Sequence, residues 1–426
     1  MTSLQSAETQ RSPGSAWAIT ALTAAYVLSQ FFRSYVAVVA PEMMRDLALT
    51  PAQFGTFASA FFFAFAVAQI PLGLAFDRIG AIRPMVAFLG LGAVSAFGIA
   101  HAQTYEVALL AQAGLGLSCA PVFMGLIYYV YEQFDHGHAV RLTTLASAVG
   151  VIGSLLAATP LGWLSKEIGW RGAMVVFAAV TLLVAASVFA FAQEPIRERS
   201  KRISAPLSLV TFVIRDLRIY TLVPACLVMS IGGTFRNAWA GPLLVDLHHL
   251  DALGRGNVMT IVSLAAVVAA FMTTAMVRAW SPKAVSIGWL AAGLVAGIVL
   301  AISPSANIVL TAALLSLWFS VGGIHPLVMA QGRQVFPAEV RGLGLGMLNS
   351  FVFLGIALSS LGFGFIAETS FANGVAAGPV YGRLFLAAVV PLGFALLCYA
   401  FSPSGSNAEA DDEPHTRYRD GGKELQ

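Results

Sequence analysis

Charged residues are scarce in this 426-residue chain: Asp, Glu, Lys and Arg together make up 11% of it, whereas 58% of the residues are hydrophobic. Soluble domains usually carry about 25% charged residues, so this scarcity excludes an ordinary soluble protein. The net charge of +3 is small and dispersed among loops, which gives no basis for nucleic-acid binding. We therefore interpret the chain as an integral membrane protein.

Cysteine and catalytic motifs are also rare. The three cysteines, Cys119, Cys226 and Cys398, fall in apolar segments without metal-ligand spacing, so no disulfide, metal or other cofactor is predicted. The chain lacks a glycine-rich G-K-[ST] phosphate loop and a nucleophile, base and acid set, which argues against ATP-driven transport and against an enzyme. The polar first 15 residues do not resemble a cleaved signal peptide.

The chain is rich in apolar segments of the length, about 20 residues, that crosses a bilayer as a helix. There are twelve of them, at residues 16–40, 52–76, 84–101, 105–130, 142–164, 172–192, 219–244, 254–277, 284–302, 307–330, 343–366 and 382–401. The prediction is an all-α integral membrane protein with twelve transmembrane helices in two six-helix bundles. The 40 glycines fit close packing between such helices.

The longest polar connection, which is also the most basic, separates the two sets of six segments. We predict a cytoplasmic N-terminal tail at 1–15, a first bundle at 16–193, a basic cytoplasmic linker at 194–218, a second bundle at 219–402 and a cytoplasmic C-terminal tail at 403–426. The linker is interpreted as setting the topology, with contact to anionic lipid as the alternative.

Loop charge predicts the orientation, because cytoplasmic loops accumulate Lys and Arg. Placing both termini in the cytoplasm puts seventeen of the 24 basic residues inside. Five fall outside: Arg45, Lys166, Arg171, Arg255 and Arg383. The two that remain, Arg33 and Arg236, lie within apolar segments, whereas all 21 acidic residues fall in loops, tails or helix ends.

The two intramembrane arginines stand at matching places in a repeated pattern. In RSYVAVVAPEMMRDL, which begins at Arg33, and in RNAWAGPLLVDL, which begins at Arg236, a proline and an Asp-Leu pair follow the arginine. An arginine is costly in a lipid-facing position and usually faces a cavity. Two such cations facing one cavity without a carboxylate predict a negatively charged solute. The alternative for Arg33 is a structural hydrogen-bonding role.

The connection after the second segment reads PLGLAFDRIGAIRP. It contains Gly73, Asp77, Arg78, Gly80 and Arg83. This pattern resembles the loop motif of the major facilitator superfamily, in which we expect the aspartate to accept at the N-terminus of a neighbouring helix. The resemblance covers residues 15–402 and implies two six-helix bundles that rock about a central cavity lined by helices 1, 4, 7 and 10.

Within the superfamily, the stretch from Arg33 through PAQFGTFASAFFFAFAVAQIPLGLAFDRIG resembles the anion:cation symporters. Arginines at corresponding points of helices 1 and 7 also resemble the organophosphate:phosphate exchangers, so the resemblance implies that Arg33 and Arg236 are anion ligands. Leu110 stands where many proton-coupled members carry an arginine. The fifth segment lacks the Gly-Pro pattern of the drug antiporters, which disfavours drug export.

Further candidates lie on or near the implied cavity helices. The candidate substrate contacts beside the arginines are Gln30, Tyr35, Asn237 and Trp239, with Asn349 as a weaker one. His325, in WFSVGGIHPLVMA, is a candidate for proton coupling because imidazole titrates near neutral pH. The alternative is that it hydrogen-bonds a carbonyl freed by Pro326. Phe123 and Tyr128 are on an implied cavity helix and could stack on a flat ring, so a planar solute is an alternative substrate.

The sequence therefore predicts a monomeric, multi-pass secondary transporter of a bacterial-type inner membrane that works by alternating access. Its expected substrate is a small organic anion, a carboxylate or a phosphate ester, that is imported with a co-transported proton or against an exchanged anion. Uptake of a planar aromatic solute or a vitamin of the flavin type is the alternative, and drug or metabolite efflux is a weaker one. Apart from the solute and the bilayer, no partner is predicted.

Overall fold

The computed structural model describes residues 13–194, 219–304, 307–336 and 341–402, and within these ranges every regular element is a helix. The all-α prediction is confirmed for this part of the chain. The predicted tails and almost all of the predicted linker at 194–218 fall outside the described residues, so the domain boundaries stay predictions.

Seven α-helices form the first half of the chain. They are α1 (Pro13–Ser34), α2 (Val36–Asp46), α3 (Pro51–Ile79), α4 (Ile82–His101), α5 (Tyr105–Gln133), α6 (His136–Leu156) and α7 (Thr159–Phe191). The second half contains α8 (Ile219–Met229), α9 (Ile231–Thr234), a π-helix (Phe235–Trp239), α10 (Ala240–His248), α11 (Ala252–Met276), α12 (Pro282–Ile302), α13 (Ile308–Ser320), a 3-10 turn (Val321–Ile324), α14 (His325–Val335), α15 (Arg341–Ala372) and α16 (Ala377–Ala400).

Polar residues in the short connections define where the helices begin. Thr50 and Gln53 form a reciprocal capping box at the start of α3. The side chains of Thr104, Asp135 and Asp251 each accept a hydrogen bond from a backbone N–H in the first turn of α5, α6 and α11. These caps satisfy donors that have no partner within the helix.

Within the described ranges, nine helices are long and apolar enough to cross a membrane, or ten if the bent pair α1 and α2 counts as one span. When the bent pair is counted as one span, the number is two below the predicted twelve. The fifth and sixth predicted segments merge into one 56-residue stretch, His136–Phe191, and the seventh is divided into pieces that are each too short to span. The twelve-span count and the cytoplasmic termini stay predictions.

Three helical runs are interrupted where the sequence analysis places functional residues. The axis bends by 50° between α1 and α2, at Tyr35, two residues after Arg33. The π-helix contains Arg236, and the 3-10 turn precedes His325. Interrupted helices expose backbone and redirect side chains, and in membrane proteins they occur where they line a cavity.

The two halves pack against each other mainly through α3 with α15, α7 with α11, and α2 with α10, α11 and the π-helix. Smaller contacts join α6 to α11 and α1 to the π-helix. At one end the contacts are polar: Lys166 pairs with Asp251 at 3.6 Å, and the Ala52 N–H donates to Glu368 at 3.2 Å. The Thr159 hydroxyl donates across the same boundary to Asn257. We call this region, where α2 leads into α3 and α10 leads into α11, the closed end. The predicted orientation makes it the external end.

Arg255 corrects one prediction made from the sequence. It was counted with the loop charges on the external side, at the start of the predicted segment 254–277, but the structure buries it near the start of α11, where it is only 2% exposed. Its guanidinium crosses to the first half and donates to the Val38 carbonyl and to the Glu42 carboxylate. A buried charge of this kind needs a partner of opposite sign, and Glu42 supplies it.

The repeated Asp-Leu pairs have equivalent contacts in the two halves. The Asp46 carboxylate accepts from the Trp170 indole N–H at 2.8 Å, which joins α2 to α7. The Asp246 carboxylate accepts from the Tyr381 hydroxyl at 2.7 Å, which joins α10 to α16. In each half, the aspartate therefore ties the first span to the last.

Candidate functional site

A cavity of about 530 Å³ lies between the two halves. It is lined by α1, α3 and α5 from the first half and by residues of the second half around the α8–α9 break, the 3-10 turn, α14 and α15. Its polar side chains are Tyr26, Arg33, Gln69, Ser230, His325 and Asn349. The volume falls in the range of small-molecule sites. No Asp, Glu or Lys belongs to this lining in the described part of the chain.

Arg33 occupies the last turn of α1 and provides the positive charge of this cavity. Its guanidinium carbon lies 4.6 Å from the centre of the Phe65 ring and 5.1 Å from that of Phe353. These rings belong to α3 and α15, so one comes from each half. Arg33 Nε is buried and has no hydrogen-bond partner among the described residues. Aromatic faces stabilise the cation without neutralising it, and the guanidinium therefore keeps its capacity to bind an anion.

His325 lines the same cavity, at the start of α14. Its Nε2 lies 3.2 Å from the Asn349 side-chain oxygen, within hydrogen-bonding distance. The structure thus brings together Arg33, the predicted coupling histidine and the weaker candidate Asn349. A second proton on His325 would add a positive charge to a lining that already contains an arginine.

Arg236 has different surroundings and does not belong to the lining of this cavity. It is 3% exposed, and its Nη2 donates to the Ser263 hydroxyl at 2.7 Å and to the Ser154 carbonyl at 3.0 Å. Its Nη1 lies 3.5 Å from the Asn237 side-chain oxygen. Because Ser154 is on α6 and Ser263 on α11, the guanidinium of Arg236 bridges the two halves.

A separate groove of about 570 Å³ lies on the α6 and α11 side of the molecule and shares no lining residue with the central cavity. Gln30 lines this groove, together with Ser154 and Ser263. The Ser34 hydroxyl donates to Asn237 at 3.3 Å, which links α1 to the π-helix. The predicted contacts Gln30 and Asn237 therefore lie near Arg236 rather than in the lining around Arg33.

The two predicted aromatic contacts hold helices together. The Tyr35 hydroxyl donates to the Gln112 side-chain oxygen at 2.6 Å within the first half. The Trp239 indole N–H donates to the Ser360 hydroxyl at 3.1 Å within the second half. Both aromatic residues are buried and neither lines the central cavity.

The loop motif is only partly visible. Three of its side chains fall outside the described ones: Gly73, Asp77 and Arg78. Gly80 ends α3 with φ of 84°, in a conformation that favours glycine. The Glu194 carboxylate accepts from the backbone N–H groups of Ile82, at 2.6 Å, and Arg83, at 3.1 Å. Glu194, the first residue of the predicted linker, thus stabilises the N-terminus of α4.

Several lining residues were missed from the sequence. Phe65 and Phe353 are phenylalanines among many in the chain, and no spacing rule connects residues 288 positions apart. Ser230 stands at the break between α8 and α9, and only that break marks it. Tyr26 and Phe123 stack with ring centres 4.6 Å apart in the cavity wall, which the aromatic content of α1 and α5 had suggested in part.

Comparison with known proteins gives consistent results. The sequence model of the Major Facilitator Superfamily matches residues 22–360. A curated relative, the probable galactarate/D-glucarate transporter GudP of Escherichia coli (strain K12), is 27% identical over 149 residues, which is 32% of each chain. The match thus spans about a third of that relative's length.

Solved structures have the same fold. A bacterial homologue of the human lysosomal transporter Spinster, in an inward-facing and occupied conformation, has a TM-score of 0.72 at 17% identity and covers 92% of this chain and 97% of its own. The nucleoside transporter NupG has a TM-score of 0.71 at 15% identity, with 91% and 100% coverage. At these identities the likeness establishes the fold alone.

Proposed function

The chain belongs to the major facilitator superfamily, and from that premise we propose that it imports a small organic anion by alternating access, with a hydroxylated dicarboxylate as the first candidate. That it is a multi-pass membrane transporter rather than an enzyme follows from the family. The substrate class, the direction, the coupling and residence in a bacterial-type inner membrane are our proposals.

The observation that carries this proposal is the state of Arg33. Its guanidinium lines the central cavity, is stacked on two aromatic rings and has no carboxylate beside it in the lining formed by described residues. A guanidinium offers paired N–H donors that match the two oxygens of a carboxylate or phosphate. A bound anion would supply the missing counter-charge from the solute side.

The remaining polar groups support a solute with several hydroxyls. Gln69, Ser230 and Asn349 offer amide and hydroxyl groups around the cavity, and Tyr26 adds a phenol. Such groups act as both donors and acceptors, as a hydroxylated carbon chain requires. The curated relative named above as a probable galactarate/D-glucarate transporter agrees with this chemistry.

The two arginines would act in different ways. We propose Arg33 as the principal anion ligand of the conformation described. Arg236 stays a predicted ligand for another stage of the cycle, because here its donors are engaged by Ser154 and Ser263 across the two halves. Separation of the halves would free those donors, and alternating access requires such a separation.

The direct test is equilibrium binding to the purified protein, followed by uptake into proteoliposomes. The panel contains galactarate, D-glucarate, a sugar phosphate, an aromatic acid and, as the matched neutral control, galactitol. Galactitol has the hydroxylated chain of galactarate without its charges. Saturable binding and uptake of a dicarboxylate, without binding of galactitol, is the expected result. Equal binding of the acid and the neutral polyol would refute the anion site.

A planar aromatic solute is the second candidate, and one observation favours it. The stacked pair Tyr26 and Phe123 lines the cavity together with the Phe65 and Phe353 rings. A flat ring can add to such a stack. Riboflavin belongs in the same panel for this reason, and its binding in preference to every anion would favour this candidate over the first.

A further inference from the structure

The groove of about 570 Å³ between α6 and α11, which we call the lateral groove, opens toward the bilayer. Its lining residues Ile152, Leu264 and Phe271 are exposed. Because α11 is long and apolar enough to cross a membrane, its exposed apolar side chains face lipid. Along α11 the groove extends from Ser263 to Thr274, a distance of about 16 Å at the helical rise. An extended alkyl chain of medium length can lie along it.

A buried cation lies directly behind this groove. The Nη2 group of Arg236 donates to the Ser263 hydroxyl and to the Ser154 carbonyl, and both serines line the groove. The Phe319 ring, which also lines it, has its centre 5.7 Å from the guanidinium carbon. Among the described residues, Arg236 Nε has no hydrogen-bond partner and no carboxylate contacts the guanidinium. Its Nη1 has only the 3.5 Å contact with Asn237.

From this geometry we infer that the lateral groove is a second ligand site, which binds an apolar monocarboxylic acid, such as a medium-chain fatty acid, that enters from the bilayer. The alkyl chain lies along α6 and α11, and the carboxylate binds Arg236 through paired N–H donors. The inference goes beyond the proposed function, because this site shares no lining residue with the central cavity and its ligand is not the transported solute.

The contacts of Arg236 leave room for such a ligand. A carboxylate can take the place of the Ser263 hydroxyl as the acceptor of the guanidinium. The hydroxyl keeps a partner when it is displaced, because it donates to the Met259 carbonyl at 2.7 Å. The exchange therefore leaves no buried hydroxyl without a hydrogen bond, and it gives the guanidinium the counter-charge that a buried cation needs.

The lining and the depth of the site select the ligand class. The wall is mostly aliphatic, with residues such as Val151, Leu155 and Val267, and a hydroxylated solute would lose hydrogen bonds to water along it. A phospholipid phosphate stays near the membrane surface, about 15 Å from the middle of the hydrocarbon. About 18 Å of helix separates Arg236 from the nearer end of its helical run, at His248. The small carboxyl group of a free acid can follow its chain to that depth.

Two other grooves on the surface lack this combination. A groove of about 480 Å³ among α1, α6 and α7 has no charged residue among its described lining residues. A groove of about 590 Å³ between α3 and α4 contains Arg83, but this arginine is exposed. Both grooves can accept an alkyl chain, and in the described part of the chain neither has a buried cation to bind its carboxylate. They are therefore controls within the same molecule.

The test is photolabelling of the full-length protein in phosphatidylcholine liposomes. The probe is a dodecanoic acid with a photoreactive diazirine in its chain, and the adducts are located by peptide mass spectrometry. We expect adducts within 148–155 of α6 and 263–274 of α11 that excess dodecanoate removes, whereas dodecanol and galactarate do not. Arg236→Gln should reduce this competed labelling at least about tenfold, because a hydrogen bond to a charged group contributes about that factor.

A matched pair of variants keeps the test decisive if Arg236→Gln fails to fold. Ala270→Trp fills the groove about two turns from Ser263 and should remove the labelling. Met272→Trp places the same ring on an exposed position outside the groove lining and should leave the labelling unchanged.

Several results would overturn the inference. They are equal competition by dodecanol, labelling that persists in Ala270→Trp or in a folded Arg236→Gln variant, and equal competed labelling of the two control grooves. Competition by phosphatidylglycerol added to the bilayer would assign the groove to a lipid headgroup instead of a free acid. Competition by galactarate would make it a site for the transported solute. Labelling needs no transport, so failure of the proposed function is seen separately, in the binding and uptake panel.

Discussion

Replacing Arg33 with glutamine should strongly weaken anion binding without harming the fold. The substitution keeps a polar side chain of similar reach and removes the only positive charge that we find in the lining of the central cavity, apart from the titratable His325. Two hydrogen bonds from a guanidinium to one carboxylate contribute about 3 kcal/mol at the lower end of their range. That loss corresponds to an increase in Kd of about 100-fold.

The same figures predict how the ligand affects stability. At a galactarate concentration of about 100 times the parent Kd, binding stabilises the parent by about 2.7 kcal/mol, and at that concentration the variant would gain only about 0.4 kcal/mol. The ligand-free variant should be at least as stable as the parent, because a desolvated cation with no counter-charge is removed. Thermal unfolding with and without ligand, together with equilibrium binding, measures both quantities.

Two further variants make the test specific. Arg33→Lys keeps the charge but loses the planar fork and the stacking on Phe65 and Phe353, so its Kd should lie between those of the parent and the glutamine variant. Arg383→Gln removes an arginine that is exposed at the closed end and should leave binding unchanged. If Arg33→Gln binds and transports galactarate like the parent, the reasoning about the cavity charge is wrong.

Three other changes have expected outcomes. Phe353→Leu removes one ring face from the guanidinium, a contact worth about 0.5–2 kcal/mol. It should raise the Kd for the anion by up to about 30-fold in a binding titration, and an unchanged Kd would show that the stack does not orient the arginine. If His325 takes up the coupling proton, anion binding tightens as the pH falls, because the added charge attracts the solute. His325→Gln should then flatten the dependence of Kd on pH. A pH dependence of the variant identical to that of the parent would exclude His325 as the coupling residue. Gly241→Ala should reduce the population with the closed end shut, because a Cβ there would overlap the Ala37 carbonyl. Cross-linking between the halves measures this population. Gly346→Ala, where a Cβ meets open space, is the control, and equal cross-linking in both variants would contradict the prediction.

The class of fold could be predicted from the sequence because it depends on local features, such as the length of apolar segments and the charge of the loops between them. Apolar length, loop charge and the motif around Gly80 identified the family, which the family comparison confirms. Boundaries were less accurate. The first predicted helix, 16–40, continues through Pro41 to Asp46, because a proline in a helix removes one hydrogen bond without ending the helix when neighbouring helices support the backbone.

The site could be predicted only in part. Arg33 and His325 could be identified because a charged residue or a histidine within an apolar segment is visible in the sequence alone. Both line the central cavity. Arg236 was equally visible, yet its contacts depend on how α6 and α11 approach the π-helix, which periodicity does not contain. Arg255 escaped because its partner Glu42 is 213 residues away and looked like an ordinary helix-end acid.

The paired aspartates, Asp46 and Asp246, have a mechanical consequence. Each forms a hydrogen bond that joins the first span of its half to the last span, through Trp170 in one half and Tyr381 in the other. Helices joined in this way resist sliding past one another, so a force on one helix rotates all the helices of that half together. Distances between helices of the same half should then stay constant through the transport cycle. They provide a reference for measuring movement between the two halves.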